Sequence, residues 1–128
     1  MRILLDTHVA LALLRRTLAS QYPEHARRLA APETLGFVSV ASLWEIAIKT
    51  GLGKLDPGMQ LQDIAGYFAA VGLSILRIEA SHVIVAASPE PETRDPFDRL
   101  LLAQCQAEAL KLATVDRALL GHPLALKV

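Results

Sequence analysis

The sequence opens with an apolar run that stops at a carboxylate, Arg2-Ile3-Leu4-Leu5-Asp6-Thr7. Three consecutive aliphatic residues are typical of a short strand that is buried on both faces, as at the centre of a parallel sheet. A helical apolar pattern follows almost at once, from Val9 to Leu14. Asp6 is therefore predicted to lie at the carboxyl end of a central strand, the edge at which open α/β sheets bind ligands.

Strand and helix patterns alternate along the rest of the chain. Three further strands are predicted, at Leu35–Ser39, Leu73–Ile78 and Lys111–Thr114. The predicted helices that accompany them are Pro23–Leu29, Ala41–Thr50, Leu61–Phe68, Ala80–Ala87, Asp95–Ala109 and Asp116–Leu120. Two prolines within three residues exclude regular structure around 88–92. This alternation predicts an α/β fold of three layers, α/β/α, with a central parallel sheet of four to five strands.

Size and composition set broad limits. A chain of 128 residues, 52% of them hydrophobic, is expected to form one domain spanning 1–128 with its own core. The formal net charge is zero, so a polyanion partner would have to be met by local basic patches or bound cations. The single cysteine, Cys105, excludes an internal disulfide, and its helical spacing predicts a buried, inert thiol. No apolar run reaches the roughly 18 residues of a membrane span, and signal-peptide features are lacking, so a cytosolic protein is expected.

Four acidic residues occupy comparable places, at or just after the predicted strand-to-helix junctions: Asp6, Glu45, Asp98 and Asp116. In a parallel sheet these junctions lie on one edge, so the carboxylates are predicted to converge. Converging carboxylates repel one another unless a cation lies between them, and hard oxygen ligands favour Mg²⁺ or Mn²⁺. Such a site can polarise a phosphodiester and activate a water molecule to attack it.

Three of these acids also have a purely structural interpretation. Ser42-Leu43-Trp44-Glu45 fits a capping box in which Glu45 reaches back to the cap. Asp95-Pro96-Phe97-Asp98 fits an N-cap, a proline at the first helical position and a favourable charge in the first turn. We assign Asp95 to the cap and Asp98 to the site, and Asp116 equally fits an N-cap. Asp6 is harder to explain, because an acid after a buried strand is costly unless it is capped or liganded.

Other side chains carry weaker signals. Trp44 lies next to Glu45 and is interpreted as a packing or interface residue rather than a base-stacking platform. His8, in a first helical turn, is interpreted as a polar surface or packing residue rather than a phosphate ligand. Arg99 is the best of the scattered basic residues as a phosphate contact, because it adjoins Asp98. Three histidines lack metal-site spacing and are interpreted as structural or exposed: His25, His82 and His122.

Four blocks of the sequence carry a family resemblance: Leu4-Leu5-Asp6-Thr7-His8, Ser39-Val40-Ala41-Ser42-Leu43-Trp44-Glu45-Ile46-Ala47-Ile48-Lys49, Arg94-Asp95-Pro96-Phe97-Asp98-Arg99-Leu100-Leu101-Leu102-Ala103-Gln104 and Thr114-Val115-Asp116. In this order, and across essentially the whole chain, they resemble the PIN-domain family. The greatest similarity is to its VapC-like toxins, the ribonuclease halves of bacterial type II toxin–antitoxin pairs. The Asp-Pro-Phe-Asp-Arg block and the Ser-x-x-Glu-Ile helix are specific signals, whereas Thr-x-Asp alone is weak.

The resemblance implies a metal-dependent endoribonuclease that hydrolyses RNA phosphodiester bonds and leaves a 5′-phosphate and a 3′-hydroxyl. The catalytic residues it implies are Asp6, Glu45, Asp98 and Asp116, with Asp6, Asp98 and Asp116 as ligands of Mg²⁺ or, alternatively, Mn²⁺. Supporting hydrogen bonds are implied for Thr7, Ser39 and Thr114. One departure is Thr93, where relatives often carry a histidine, and it affects fine specificity rather than the set of acids.

The resemblance also implies partners. Toxins of this type usually form homodimers and are neutralised by a small antitoxin whose tail covers the active site. The apolar segments Val9–Leu14 and Gln60–Phe68 are candidates for these surfaces, although the same apolar positions are needed for the core. No membrane partner is expected.

Two other classes of function compete with this one, a different protein with an aspartate at a strand end and a non-enzymatic binding module. A phosphatase of the haloacid dehalogenase type requires Asp-x-Asp after the first strand, but His8 stands at the third position. A response-regulator receiver requires paired acids there and a lysine after its last central strand, and neither is visible. A catalytically silent PIN-like protein-binding module is the remaining alternative. Such modules commonly lose acids, and the presence of all four favours catalysis.

Overall fold

The computed structural model describes all residues, 1–128. Its strands are β1 (Arg2–Leu5), β2 (Leu35–Ser39), β3 (Ser74–Leu76) and β4 (Lys111–Ala113). Its α-helices are α1 (Thr7–Leu14), α2 (Leu18–Gln21), α3 (Pro23–Ala30), α4 (Val40–Gly51), α5 (Ile64–Ala70), α6 (Ala80–Ile84), α7 (Pro96–Glu108) and α8 (Arg117–Leu120), and a 3₁₀ turn at Leu61–Asp63 precedes α5. None of these helices is both long enough and apolar enough to traverse a bilayer.

The four strands form one sheet in the order β3-β2-β1-β4, and every pair is parallel. β1 is an interior strand, with Leu4 opposite Phe37 of β2 on one side and Leu112 of β4 on the other. The predicted parallel sheet with β1 at its centre is therefore confirmed. Beyond β4 only an isolated bridge between Leu112 and Ala125 extends the pairing, so the sheet has four strands rather than five.

Two apolar cores lie on opposite faces of the sheet. Ile3 and Leu5 point into one core, which includes Phe68 of α5, while Leu4 points into the other with Leu101 of α7. Successive side chains of a strand alternate between faces, so a central strand with helices on both sides must be apolar at every position. The run Ile3-Leu4-Leu5 is completely buried for this reason, and the chain forms the predicted three layers.

Most element boundaries agree with the sequence patterns, and the differences have local causes. β3 is shorter than the predicted Leu73–Ile78 because, as an edge strand, it is paired only with β2, from Ser74 to Leu76. α6 ends at Ile84 rather than Ala87. The short helix α2 was not predicted, because its four residues are too few to show a period.

The start of α4 differs from its prediction in a way that matters for the site. Ser39 is the N-cap, with its Oγ accepting from the backbone N–H of Ala41 at 3.0 Å. The predicted capping box of Ser42 and Glu45 is therefore wrong. Both residues lie inside the helix and are buried, so their side chains are available for other contacts.

The thiol of Cys105 is expected to be unreactive in the folded protein. It is fully buried in α7, and desolvation raises its pKa to about 12, so the nucleophilic thiolate is scarce at neutral pH. A thiol-specific chromogenic reagent at mildly alkaline pH should react only after denaturant is added. Rapid, complete reaction without denaturant would show that the thiol is accessible.

Candidate functional site

Asp6 lies at the junction of β1 and α1, where both of its carboxylate oxygens are engaged. Oδ1 accepts from the backbone N–H of Val9 at 2.8 Å, which makes Asp6 the N-cap of α1. Oδ2 accepts a hydrogen bond from Thr114 Oγ1. The residue is only 2% exposed, and its burial raises the pKa of the carboxyl although both hydrogen bonds oppose the rise. The hydrogen bond that caps α1 therefore offsets part of the free energy lost when Asp6 is buried.

Glu45 projects from α4 towards α1. Its Oε1 accepts from Thr7 Oγ1 at 2.6 Å, and its Oε2 pairs with Lys49 Nζ at 2.6 Å, one helical turn further on. Thr7 Oγ1 also lies 3.1 Å from Ser42 Oγ. The hydrogen bond from Lys49 to Glu45 is the main reason that the pKa of Lys49 is raised. Glu45 is 5% exposed, so this buried carboxylate is held by one hydroxyl and one ammonium group.

Asp98 carries the clearest sign that the acids have converged. It is half-buried in the first turn of α7, behind the N-cap Asp95, whose Oδ1 accepts from the backbone N–H groups of Phe97 and Asp98 at 2.8 Å and 3.2 Å. Desolvation raises the pKa of Asp98 to about 7, reinforced by the negative charges of Asp95, Asp116, Glu45 and Asp6. No hydrogen bond to its carboxylate offsets these effects.

Asp116 is tied to Asp6 through Thr114. Its Oδ1 accepts from the backbone N–H of Ala118 at 2.9 Å, so it caps α8 as one interpretation anticipated. The backbone N–H of Asp116 donates to Thr114 Oγ1 at 3.0 Å, and the same hydroxyl donates to Asp6. The charge of Asp116 also contributes to the raised pKa of Asp6. The ends of β1 and β4 are therefore linked by one hydroxyl.

Of the four acids named from the sequence, Asp6, Glu45 and Asp116 all contribute to the raised pKa of Asp98, so the four carboxylates lie near one another. Two of the three predicted supporting hydroxyls bond directly to them, Thr7 to Glu45 and Thr114 to Asp6. Ser39 does not, since its hydroxyl caps the backbone of α4.

Replacing Thr7 by valine is expected to reduce the free energy of unfolding by about 1–3 kcal/mol, because buried Glu45 Oε1 would lose its donor. Thr7→Ser keeps the hydroxyl and should recover most of the loss. Urea denaturation of the three proteins measures this. Equal stability of the valine variant and wild type would show that the hydrogen bond contributes nothing net.

The residues present suit a hard divalent cation in their chemistry, although they do not form a ready-made cage. No three His, Cys, Asp or Glu side chains are grouped so as to hold a metal ion directly. The donors are carboxylate oxygens, the kind that Mg²⁺ and Mn²⁺ prefer. Lys49 is the one cation that pairs with any of the four acids. Their unneutralised charge, expressed in the raised pKa of Asp98, is what a bound cation would offset.

Arg99 binds a neighbouring loop, although the sequence suggested it as a phosphate contact. Its guanidinium donates to the carbonyl oxygens of Pro91 at 3.0 Å and Thr93 at 2.7 Å, and it pairs with Glu90. It thereby fastens the proline-rich loop to α7. Thr93 Oγ1 accepts from the backbone N–H of Asp95 at 3.2 Å, so Thr93 helps to place the cap of α7. The phosphate contact of Arg99 stays a prediction, and the structure gives it a structural role.

Three of the histidines are either exposed or held by structural hydrogen bonds. His8 is exposed, and its proximity to Asp6 slightly favours the ionised carboxylate. His82 and His122 are buried and bonded to Glu108 and to the carbonyl of Pro89 respectively, which confirms a structural role.

Two residues near the acids, His25 and Lys49, were not predicted from the sequence to lie there. His25 is buried on α3, where desolvation lowers its pKa against the opposing charge of Asp6, and nothing in its sequence position indicates this proximity. Lys49 is one of the scattered basic residues, and no pairing is predicted for it from the sequence. Its i,i+4 spacing from Glu45 was a signal that could have identified the pair.

The architecture and the site together define a three-layer α/β protein with an acidic site at the carboxyl edge of a parallel sheet. The family model described as "PIN domain" matches residues 3–121, and the chain belongs to the PIN domain family. The predicted family is therefore confirmed.

One solved structure similar to this chain is that of VapBC2 from Rickettsia felis, bound to a DNA fragment from its promoter. The TM-score is 0.66 at 18% sequence identity, and the match covers 98% of this chain and 96% of that chain. At this identity the likeness concerns the fold. No curated protein matches the chain significantly.

Proposed function

We propose that this protein is a metal-dependent endoribonuclease, the toxin component of a type II toxin–antitoxin pair. The observation that carries the proposal is that the carboxylates of Asp6, Glu45 and Asp116 lie near Asp98 in a chain of the PIN domain family. Such an excess of negative charge lowers stability and is expected to persist where a cation and a reaction require it.

Asp6, Asp98 and Asp116 would hold the ion, Mg²⁺ or Mn²⁺, together with water molecules that Mg²⁺ usually retains. A bound ion of this kind polarises a phosphodiester and lowers the pKa of a coordinated water molecule. Thr114 fixes the orientation of Asp6, because its hydroxyl bonds both that carboxylate and the backbone of Asp116. The helix caps made by Asp6 and Asp116 restrict both side chains, which reduces the entropy lost when they bind an ion.

Glu45 would orient the attacking water. Thr7 donates to one of its oxygens and Lys49 to the other, so the direction of the carboxylate is fixed. In the hydrolysis, water adds to phosphorus and its proton passes to a carboxylate, while the bond from phosphorus to the 3′-oxygen breaks and the departing 3′-oxygen takes up a proton from solvent water. The resulting ends are a 5′-phosphate and a 3′-hydroxyl.

A labelled structured RNA incubated with the purified protein and Mg²⁺, Mn²⁺ or EDTA tests this function. We expect cutting only with a divalent ion, and fragments that a 5′-phosphate-dependent exonuclease degrades. Cutting that persists in EDTA, or fragments that end in a cyclic phosphate, would exclude the proposed chemistry.

The alternative, a catalytically silent binding module, is favoured by one observation: no three acids stand grouped around an ion position. Calorimetry with Mn²⁺ separates the two. Binding that weakens when Asp98 is changed to asparagine supports the nuclease, and no binding together with no cutting supports the module.

We also propose an antitoxin chain and a second copy of this protein as partners in the cytoplasm. An open apolar groove of about 430 Å³ lies among α1, α2, α3 and α5, lined by residues such as Leu13, Leu29 and Tyr67. It suits an apolar antitoxin segment, and the VapBC2 neighbour supports such a partner. Of the apolar segment Val9–Leu14, only Leu13 lines this groove, because the other residues of the segment are buried in the core. A monomeric mass at micromolar concentration would exclude the dimer.

A further inference from the structure

The sequence alone favoured a packing or interface role for Trp44 over base stacking. In the structure the side chain is exposed rather than packed. It is the only tryptophan of the chain, and 61% of its surface is open to solvent. The adjacent residue, Glu45, is buried in the acidic site. Consecutive helical residues point about 100° apart, so the indole lies at the rim of the site while the carboxylate points into it. An indole has a large flat π surface, so its open side is suited to stacking on another ring.

Phe97 holds the indole from one side only. The two rings are 5.8 Å apart between centroids and inclined by 73°, an edge-to-face arrangement. A perpendicular neighbour covers at most one face of the indole, and the other face stays open. Phe97 directly precedes Asp98, so this aromatic pair connects α4 and α7, the helices that carry Glu45 and Asp98.

We propose that Trp44 stacks an unpaired base of the RNA beside the bond that is cut, with Phe97 fixing the indole. This inference rests on the proposed function, since the acids next to Trp44 would engage the phosphodiester. The chain has zero formal net charge, so a general electrostatic field supplies little affinity for a polyanion. Stacking can supply it, because every base has a π face and single-stranded RNA exposes that face.

The unique tryptophan makes the first test direct, because all indole fluorescence comes from the proposed residue. An RNA octamer is titrated in EDTA, which prevents cutting, and compared with an abasic octamer carrying the same phosphates. We expect saturable quenching by the RNA and little change with the abasic chain. Equal quenching by both, or none by either, would overturn the stacking role.

Substitutions provide the second test, with binding measured by anisotropy of a labelled octamer. Trp44→Ala should weaken binding roughly 5- to 150-fold, the range for loss of one stacked base, and Trp44→Phe should retain most of it. The matched control is Leu52→Ala, an equally exposed apolar residue (62%) at the end of the same helix, about 12 Å further along its axis. Circular dichroism verifies folding. Equal affinities of the alanine variants would contradict the proposal.

The outcomes also separate this inference from the function on which it rests. If wild type cuts RNA with metal but Trp44→Ala binds and cuts as well as wild type, stacking is wrong and the nuclease stands. If Trp44→Ala instead loses the dimer without losing octamer affinity, the residue belongs to a protein interface and stacking is again wrong. If the octamer quenches Trp44 but no RNA is cut under any condition, RNA stacking stands and the nuclease fails.

Discussion

Asp98→Asn is expected to remove most of the metal-dependent cutting while leaving the metal-free protein at least as stable as wild type. Loss of about 4 kcal/mol of transition-state charge stabilisation corresponds to roughly a thousandfold in rate. The stability argument is independent of this one. The carboxylate of Asp98 is repelled by Asp95, Asp116, Glu45 and Asp6 and accepts no compensating hydrogen bond, so removing its charge relieves repulsion.

The pH dependence of stability gives this prediction a second readout. The pKa of Asp98 is raised from 3.8 to about 7 in the folded protein, so the folded state binds the proton more tightly than the unfolded chain. In EDTA, the free energy of unfolding should therefore fall as pH rises between those values, and the fall should be smaller in Asp98→Asn. Urea denaturation across this range measures it. A destabilised, pH-insensitive variant would show that Asp98 has a structural role that its contacts do not reveal.

Leu4→Ala is expected to lower the free energy of unfolding by about 2–5 kcal/mol, the usual cost of a cavity at a fully buried leucine. Leu4 is completely buried on the central strand and packs against α7, which carries Asp98. Leu35→Ala is the matched control, since Leu35 lies on the neighbouring strand but is 56% exposed. It should cost under about 1 kcal/mol. Urea denaturation measures both variants, and similar losses would show that Leu4 is not tightly packed.

The sequence was most informative where burial on both faces or a proline restricts the chain. Ile3-Leu4-Leu5 identified the central strand because only a strand covered on both sides is apolar at every position. Asp95-Pro96 identified the start of α7 because its cap and its proline are local features. Position at the strand-to-helix junctions indicated the four acids, and the family resemblance then implied their catalytic roles.

The features that could not be predicted from the sequence depend on contacts between residues far apart in the chain. Glu45 fitted a capping box by spacing, but the helix begins three residues earlier than that box requires, and Thr7 of another helix binds its carboxylate. Arg99 adjoins Asp98 in sequence, yet it binds the carbonyls of a loop. The exposure of Trp44 depends on which side of α4 is covered, and local pattern does not determine this.

We propose that the acids at the carboxyl edge of the sheet perform metal-dependent cleavage of RNA. The most direct test compares wild type with Asp6→Asn on a labelled structured RNA in Mg²⁺, Mn²⁺ and EDTA. Asparagine retains an oxygen that can cap α1 while it removes the charge needed to hold a cation, and circular dichroism verifies the fold. We predict cutting by wild type that requires the metal and disappears in Asp6→Asn. Undiminished cutting by the folded variant, or none by folded wild type free of antitoxin, would contradict the account.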